Sequence, residues 1–134
     1  MSNQRKHVTQ MTNAEVDSVS ALIRSIRDWD GNDSPHLKER KRHWNVTDAE
    51  VQSAIHNGTL IEVHRNNFPD VRAVLRHDVG MRSVNVTISL VQHTVITVWI
   101  NAIDDRHSTL KIAEYAWGGS LIPVLSTLRG AEAR

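Results

Sequence analysis

Two consecutive stretches of alternating apolar and polar residues, 83–90 and 94–101, constrain the fold of this chain more than any other feature. The aliphatic positions are Val84, Val86, Ile88 and Leu90 in the first stretch and Ile96, Val98 and Ile100 in the second. A period of two with many β-branched residues is typical of half-buried strands, and the short connection predicts an antiparallel hairpin. The aliphatic face must be covered by the rest of the chain. The other face is polar except for the large ring of Trp99, so it either holds a ligand or faces water.

The residues before this hairpin predict helices followed by two more strands. Each helix is predicted to begin at a capping pattern. The patterns are Thr12 with Glu15, Ser34 with Pro35, and Thr47 with Glu50. Strands are predicted at 59–65 and 71–76, each followed by a turn. After the hairpin come a polar loop, a short helix over about 109–117 and an amphipathic helix over 121–128. The pattern predicts an α+β domain in which N-terminal helices pack on a four-stranded antiparallel meander, with a short C-terminal helix.

Length and composition favour a single domain of a cytoplasmic protein. The 134 residues suffice for one core, which we assign to 12–134, after a disordered lead at 1–11. The chain has no cysteine, which suits a reducing compartment, and no apolar run long enough to cross a membrane. Because the net charge is only +1, any attraction to nucleic acid has to come from a local group of basic residues.

The second predicted helix carries the densest signal for chemistry. Its basic residues are Lys38, Arg40, Lys41 and Arg42, flanked by His36 and His43. His36 and Arg40 are four residues apart, so they share one face of the helix. An imidazole can move a proton near neutral pH and a guanidinium can hold a phosphate with two hydrogen bonds, which together suit phosphodiester chemistry. The alternative is a solvated basic surface in which the histidines have no role.

The loop after the last predicted strand carries a second signal. Asp105, His107 and Tyr115 follow that strand end, where catalytic groups often lie. His107 could be the acid or base that partners His36, and Tyr115 could donate to a phosphate or stack on a base. Alternatively, His107 is a surface or capping histidine and Tyr115 is an aromatic residue of the core.

Residues of the predicted sheet could contact RNA together with Lys41. Arg72 and Arg76 are four apart in one strand and therefore share a face, while Trp99 could stack on a base. Strand arginines are also common at plain surfaces, and Trp99 could instead cover a small satellite core. The histidines show no spacing typical of metal ligands, so we expect neither a metal nor another cofactor.

Several short motifs occur between residues 34 and 115. They are His36-x-x-x-Arg40, the runs WNVTDAEV at 44–51 and AIHNG at 54–58, the strand VITVW at 95–99, and Asp105-x-His107. These motifs resemble a family of small bacterial and phage domains of unassigned function that is grouped with RelE-like and BrnT-like toxins. Trp44 and Asn45 stand where that family has Arg-Gly, which removes one cation beside the site.

The resemblance implies the barnase–EndoU–colicin–RelE class of folds, in which N-terminal helices pack on a four-stranded antiparallel sheet and RNA lies against the sheet. Many members of that class are metal-independent ribonucleases that use His, Arg, Thr and Tyr side chains. Carried over by position, the catalytic residues are His36, Arg40 and Thr97, together with His107 and Tyr115.

The sequence thus supports hypotheses from different functional classes. The first is a metal-independent endoribonuclease or RelE-like toxin, in which His36 and His107 move protons and Arg40, with Lys41 or Arg76, stabilises charge on the phosphate. The second is a non-catalytic interaction protein of phage or mobile-element origin, which binds a host protein or a second copy through the first helix or residues 119–129. A third is nucleic-acid binding without cleavage through Arg72, Arg76 and Trp99.

Overall fold

Five antiparallel strands, paired in the order in which they follow one another along the chain, form the sheet of this α+β protein. The computed structural model describes residues 4–26, 29, 34–65, 70–102 and 117–132. Within them the strands are β1 (Gln4–His7), β2 (Thr59–Arg65), β3 (Arg72–Val79), β4 (Arg82–Ser89) and β5 (Thr94–Ala102). The strands β2 to β5 are the predicted meander.

The first strand is the main departure from the predicted fold. The prediction of a disordered lead at 1–11 is wrong from Gln4 onward, because Gln4–His7 pair with β2 and Val8–Gln10 form a 3-10 helix. The sheet therefore has five strands rather than four. β1 lacks the alternation that marks a strand in sequence. It is held by the free edge of β2 and by Arg5, whose Nε and Nη2 donate to the two oxygens of Glu62 at 3.0 and 2.9 Å.

The predicted capping residues begin the N-terminal helices. The α-helices of the described residues are α1 (Asn13–Ser25), α2 (Pro35–Trp44), α3 (Asp48–Asn57) and α4 (Ile122–Glu132). The hydroxyl groups of Thr12, Ser34 and Thr47 each accept a backbone N–H from the first turn. The helix predicted over 109–117 lies outside the described residues, apart from Trp117. Within the described part of the chain, no helix has the length and apolar character needed to span a membrane.

One hydrophobic core joins the aliphatic face of the sheet to the helices. The strands contribute Leu60, Val63, Ala73, Leu75, Val84, Val86, Ile88 and Val98. The helix α3 packs on β3 and β4, and α1 packs on both α3 and α4. The helices therefore form the layer that covers the aliphatic face predicted from the alternation in 83–101.

The helix α4 and Leu121, the residue just before it, contribute to that core. Leu121 and Leu125 are buried in it, whereas Val124 and Leu128 are only half-buried. Residues 119–129 were a candidate surface for a protein partner or a second copy. Leu121 and Leu125 are enclosed by the domain itself and are not available to a partner, and the interaction of residues 119–129 with a partner stays a prediction.

The polar face of β4 is buried as well. Ser83, Asn85 and Ser89 have no exposed surface, and Thr87 is nearly enclosed. The expectation of a polar face that is open to a ligand or to water is therefore wrong for β4. Arg76 and Trp99 are the partners of Asn85 in register, so two long side chains flank it on the same face of the sheet.

Candidate functional site

The contact between α2 and β5 brings two of the predicted site residues together. The helix α2 packs along β5, and the Nε2 atom of His36 lies 3.2 Å from the Oγ1 atom of Thr97. His36 is exposed and Thr97 is half-buried, so the imidazole stands at the protein surface while the hydroxyl group is part of the sheet. Residues 61 positions apart in sequence thus form one hydrogen-bonded pair.

The position of α2 is determined at both of its ends. Leu37, in the first turn, is buried in the core. At the other end the Nη2 atom of Arg82 donates to the carbonyl oxygens of Trp44 and Asn45 at 3.2 and 3.0 Å, which satisfies groups that a helix terminus leaves without partners. Asn45 adopts a left-handed conformation, with φ 55°, and ends the helix. His36 is therefore carried by an element anchored to the sheet rather than by a loop.

Arg40 follows His36 by one turn on the same side of α2. It is exposed, and it forms no ion pair with any residue in the described ranges. The spacing of four residues makes Arg40 and His36 neighbours on this face of the helix. A cation that has no counterion among the described residues, one helical turn from a hydrogen-bonded histidine, is an arrangement that can accept a phosphate group.

The other predicted RNA-contacting cations are engaged with acidic side chains. Lys41 Nζ pairs with Asp48, Arg72 Nε lies 2.6 Å from Asp70 Oδ2, and Arg76 Nε lies 3.2 Å from Asp78 Oδ1. Arg76 Nε is also 3.0 Å from the hydroxyl oxygen of Ser83. Each of these positive charges therefore has a carboxylate beside it, whereas Arg40 has none among the described residues.

Trp99 lies in a row of side chains across the polar face of the sheet. Its register partner is Asn85, whose own partner on the other side is Arg76. Trp99 is half-buried and is two residues from Thr97, so it lies about 7 Å from the His36 contact along the same face. The tryptophan therefore belongs to the surroundings of that contact.

Asn85 was not among the predicted site residues. Its Nδ2 atom donates to the carbonyl oxygen of Ser83 at 3.2 Å, while its buried Oδ1 atom has no hydrogen-bond partner within the described residues. The alternation in sequence places Asn85 on the polar face. Only the tertiary structure shows that the residue is completely enclosed.

Asp105, His107 and Tyr115 lie outside the described residues. Within the described ranges, no three His, Asp or Glu side chains converge in a way that could hold a metal ion.

Another histidine of α2 occupies a different environment. The ring of His43 contacts the edge of the Trp44 ring, with 4.8 Å between centroids, and lines a shallow polar hollow together with Pro35, Glu39 and Arg42. His43 is exposed, like His36, but it has no contact with Thr97. It therefore provides a matched control for substitutions at His36.

Comparison of the chain with protein-family models, curated proteins and solved structures gives no match. The resemblance to RelE-like domains thus stays a prediction. The function has to be argued from the geometry of the His36 site.

Proposed function

We propose that this protein is a metal-independent endoribonuclease whose active site lies where α2 meets β5. The observation that carries the proposal is the hydrogen bond between His36 and Thr97. One turn further along the helix lies Arg40, whose guanidinium forms no ion pair with the residues that the structure describes. A proton-transfer group and an anion-binding group on one anchored element are two of the components that phosphodiester cleavage without a metal requires, and the third is a proton donor for the leaving oxygen.

In this proposal Thr97 orients the His36 ring, and His36 is the tautomer that carries its proton on Nε2. When Nε2–H donates to Thr97 Oγ1, the Nδ1 atom carries the lone pair and acts as the general base. Nδ1 removes the proton of a ribose 2′-hydroxyl group, and O2′ then attacks the adjacent phosphorus. Arg40 stabilises the negative charge on the phosphate oxygens in the transition state.

The bond between phosphorus and O5′ then breaks. The products are a 2′,3′-cyclic phosphate and a free 5′-hydroxyl group, and the leaving oxygen takes up one proton. We assign that proton transfer to His107, as the sequence predicts. Tyr115 and Trp99 are assigned to binding of the RNA strand.

The test is incubation of the purified protein with mixed cellular RNA in excess EDTA. We expect discrete cleavage that leaves 2′,3′-cyclic phosphate ends. His36→Ala should abolish cleavage, whereas His43→Ala, which changes an exposed histidine on the same helix, should retain it. Intact RNA with the parent protein, or equal cleavage by both variants, would rule the proposal out.

A second candidate function is binding of a partner protein or a second copy without catalysis. It is favoured by the ion pairs that engage Lys41, Arg72 and Arg76, and by two apolar residues at the turn between β3 and β4. Val79 is 42% exposed and Met81 is 80% exposed, so these two nearby side chains offer apolar surface at the turn. This candidate predicts self-association in sedimentation velocity that Met81→Asp removes. Intact RNA together with such an association would favour it over the ribonuclease.

A further inference from the structure

An apolar groove runs between α4 and the ends of the neighbouring strands, away from the His36 site. Its volume is about 360 Å³. The apolar lining residues are Val71, Val91, Pro123, Val124 and Leu128. This volume lies within the usual range for small-molecule sites, which is roughly 300–1,000 Å³.

The polar groups of the groove come from Thr127 and Arg65. The hydroxyl group of Thr127 donates to the carbonyl oxygen of Pro123 at 3.1 Å, so its hydrogen is already used within α4. Arg65 is the charged residue among those that line the groove. A ligand for this site has to match one cation and an otherwise apolar wall.

Arg65 is held in place by uncharged neighbours. Its Nε and Nη2 atoms both donate to the side-chain oxygen of Gln4, and its Cζ atom lies 4.9 Å from the centre of the Trp117 ring. No carboxylate of the described residues pairs with it. A guanidinium has five N–H donors, and the bonds to Gln4 use two of them. The donors that remain can bind an anion.

We propose that this groove binds a medium-chain fatty carboxylate, with the carboxylate on Arg65 and the alkyl chain against Val124 and Leu128. The charge of Arg65 calls for an anion, and the apolar wall calls for a tail without polar groups. A carboxylate matches the planar guanidinium with two parallel hydrogen bonds. The site lies outside the proposed ribonuclease centre and does not depend on that activity.

Isothermal titration calorimetry with hexanoate, octanoate and decanoate tests the proposal at concentrations where each ligand is monomeric. We expect the Kd to fall about fourfold for each methylene that the groove buries, which is the effect of roughly 0.8 kcal/mol per CH₂. Decanol, which has the same chain without the charge, should bind at least about tenfold more weakly than decanoate.

Two variants separate the charge from the groove. Arg65→Gln should weaken decanoate binding by about tenfold or more and change decanol binding little. Leu128→Trp should weaken both ligands, because the larger ring fills the groove. Arg24→Gln, at an exposed arginine of α1, is the matched control and should bind as the parent does. Thermal unfolding of each variant shows whether it is folded before its titration is interpreted.

The proposal is overturned if decanoate does not bind the parent protein, or if decanol binds as tightly as decanoate. Equal decanoate affinity for the parent and for folded Leu128→Trp also overturns it, since the ligand would then lie elsewhere. Tighter binding of an apolar peptide with a free C-terminal carboxylate would reassign the groove to a peptide ligand.

Discussion

The ammonium group of Lys6 and the carboxylate of Glu15 form a buried ion pair, with Nζ 2.8 Å from Oε2. Lys6 belongs to β1 and Glu15 to the first turn of α1. The same carboxylate accepts the backbone N–H of Thr12 at 2.9 Å and that of Leu121 at 2.8 Å. Lys6 Nζ also donates to the carbonyl oxygen of Gly119 at 3.0 Å. One carboxylate therefore joins the first strand, the first helix and the segment that leads into α4.

This arrangement lowers the pKa of Glu15 from 4.5 to about 2. Burial alone would raise that pKa, but the hydrogen bonds from Lys6, Thr12 and Leu121 stabilise the charged form more strongly. A carboxylate whose pKa is lower in the folded state stabilises the fold above its unfolded pKa. That stabilisation is lost as the pH falls from 4.5 toward 2.

We therefore expect the free energy of unfolding to fall by up to about 3 kcal/mol between about pH 5 and pH 2 through Glu15 alone. Glu15→Gln should remove this part of the pH dependence. It should also cost about 3–5 kcal/mol at neutral pH, because it leaves the Lys6 charge buried without a counterion. Urea unfolding at a series of pH values measures both effects.

Glu39→Gln, at an exposed glutamate of α2, should keep the pH dependence of the parent. A parent-like curve for Glu15→Gln would contradict the prediction.

At Gly58, which ends α3, there is no room for a side chain. The glycine is required for this reason and not because of its backbone angles. Its φ of −74° is open to any residue, but an added Cβ would clash with the carbonyl oxygen of Ala54 and lie 3.1 Å from that of Arg76. We expect Gly58→Ala to lower the free energy of unfolding by about 1–3 kcal/mol. Gly118→Ala is the control, because a Cβ there meets nothing within 4 Å. Chemical denaturation of the two variants compares them, and equal stabilities would contradict the prediction.

Thr97 is a positioning residue in the proposed mechanism. Thr97→Val keeps the shape of the side chain but removes the hydrogen bond to His36. We expect kcat to fall about tenfold or more with little change in KM, because the imidazole loses its orientation without a loss of RNA contacts. Initial rates on a defined RNA oligonucleotide measure this split. An increase in KM with unchanged kcat would instead show that Thr97 contributes to binding.

Thr94, in the same strand, is a residue whose substitution should make the protein more stable. Its Oγ1 atom is buried and has no hydrogen-bond partner among the described residues. Thr94→Val removes that unsatisfied group, and we expect it to raise the free energy of unfolding by about 1 kcal/mol. Thr97→Val, which removes a hydroxyl group that has a partner, should show no such gain. Urea unfolding measures the free energy of unfolding of both variants. If Thr94→Val is less stable than the parent, this hydroxyl group has a hydrogen-bond partner and the prediction is wrong.

Local patterns were sufficient for most of the secondary structure. The Thr12, Ser34 and Thr47 caps begin helices where the sequence predicts them, and the alternation in 83–101 forms β4 and β5. Such signals depend on neighbours within a few residues, so they can be read along the chain. The strand β1 could not be found in this way. Its residues are polar, and they form a strand because the edge of β2 offers backbone partners.

The sequence by itself determined the α+β class, the meander from β2 to β5 and the presence of His36 and Arg40 on one helical face. Only the tertiary structure decided which of these residues meet. It placed His36 against Thr97, engaged Lys41, Arg72 and Arg76 in ion pairs, and enclosed the polar side of β4. It also placed Arg65 beside an apolar groove, with no acidic partner among the residues that the structure describes. These outcomes depend on contacts between residues far apart in sequence, which spacing along the chain does not encode.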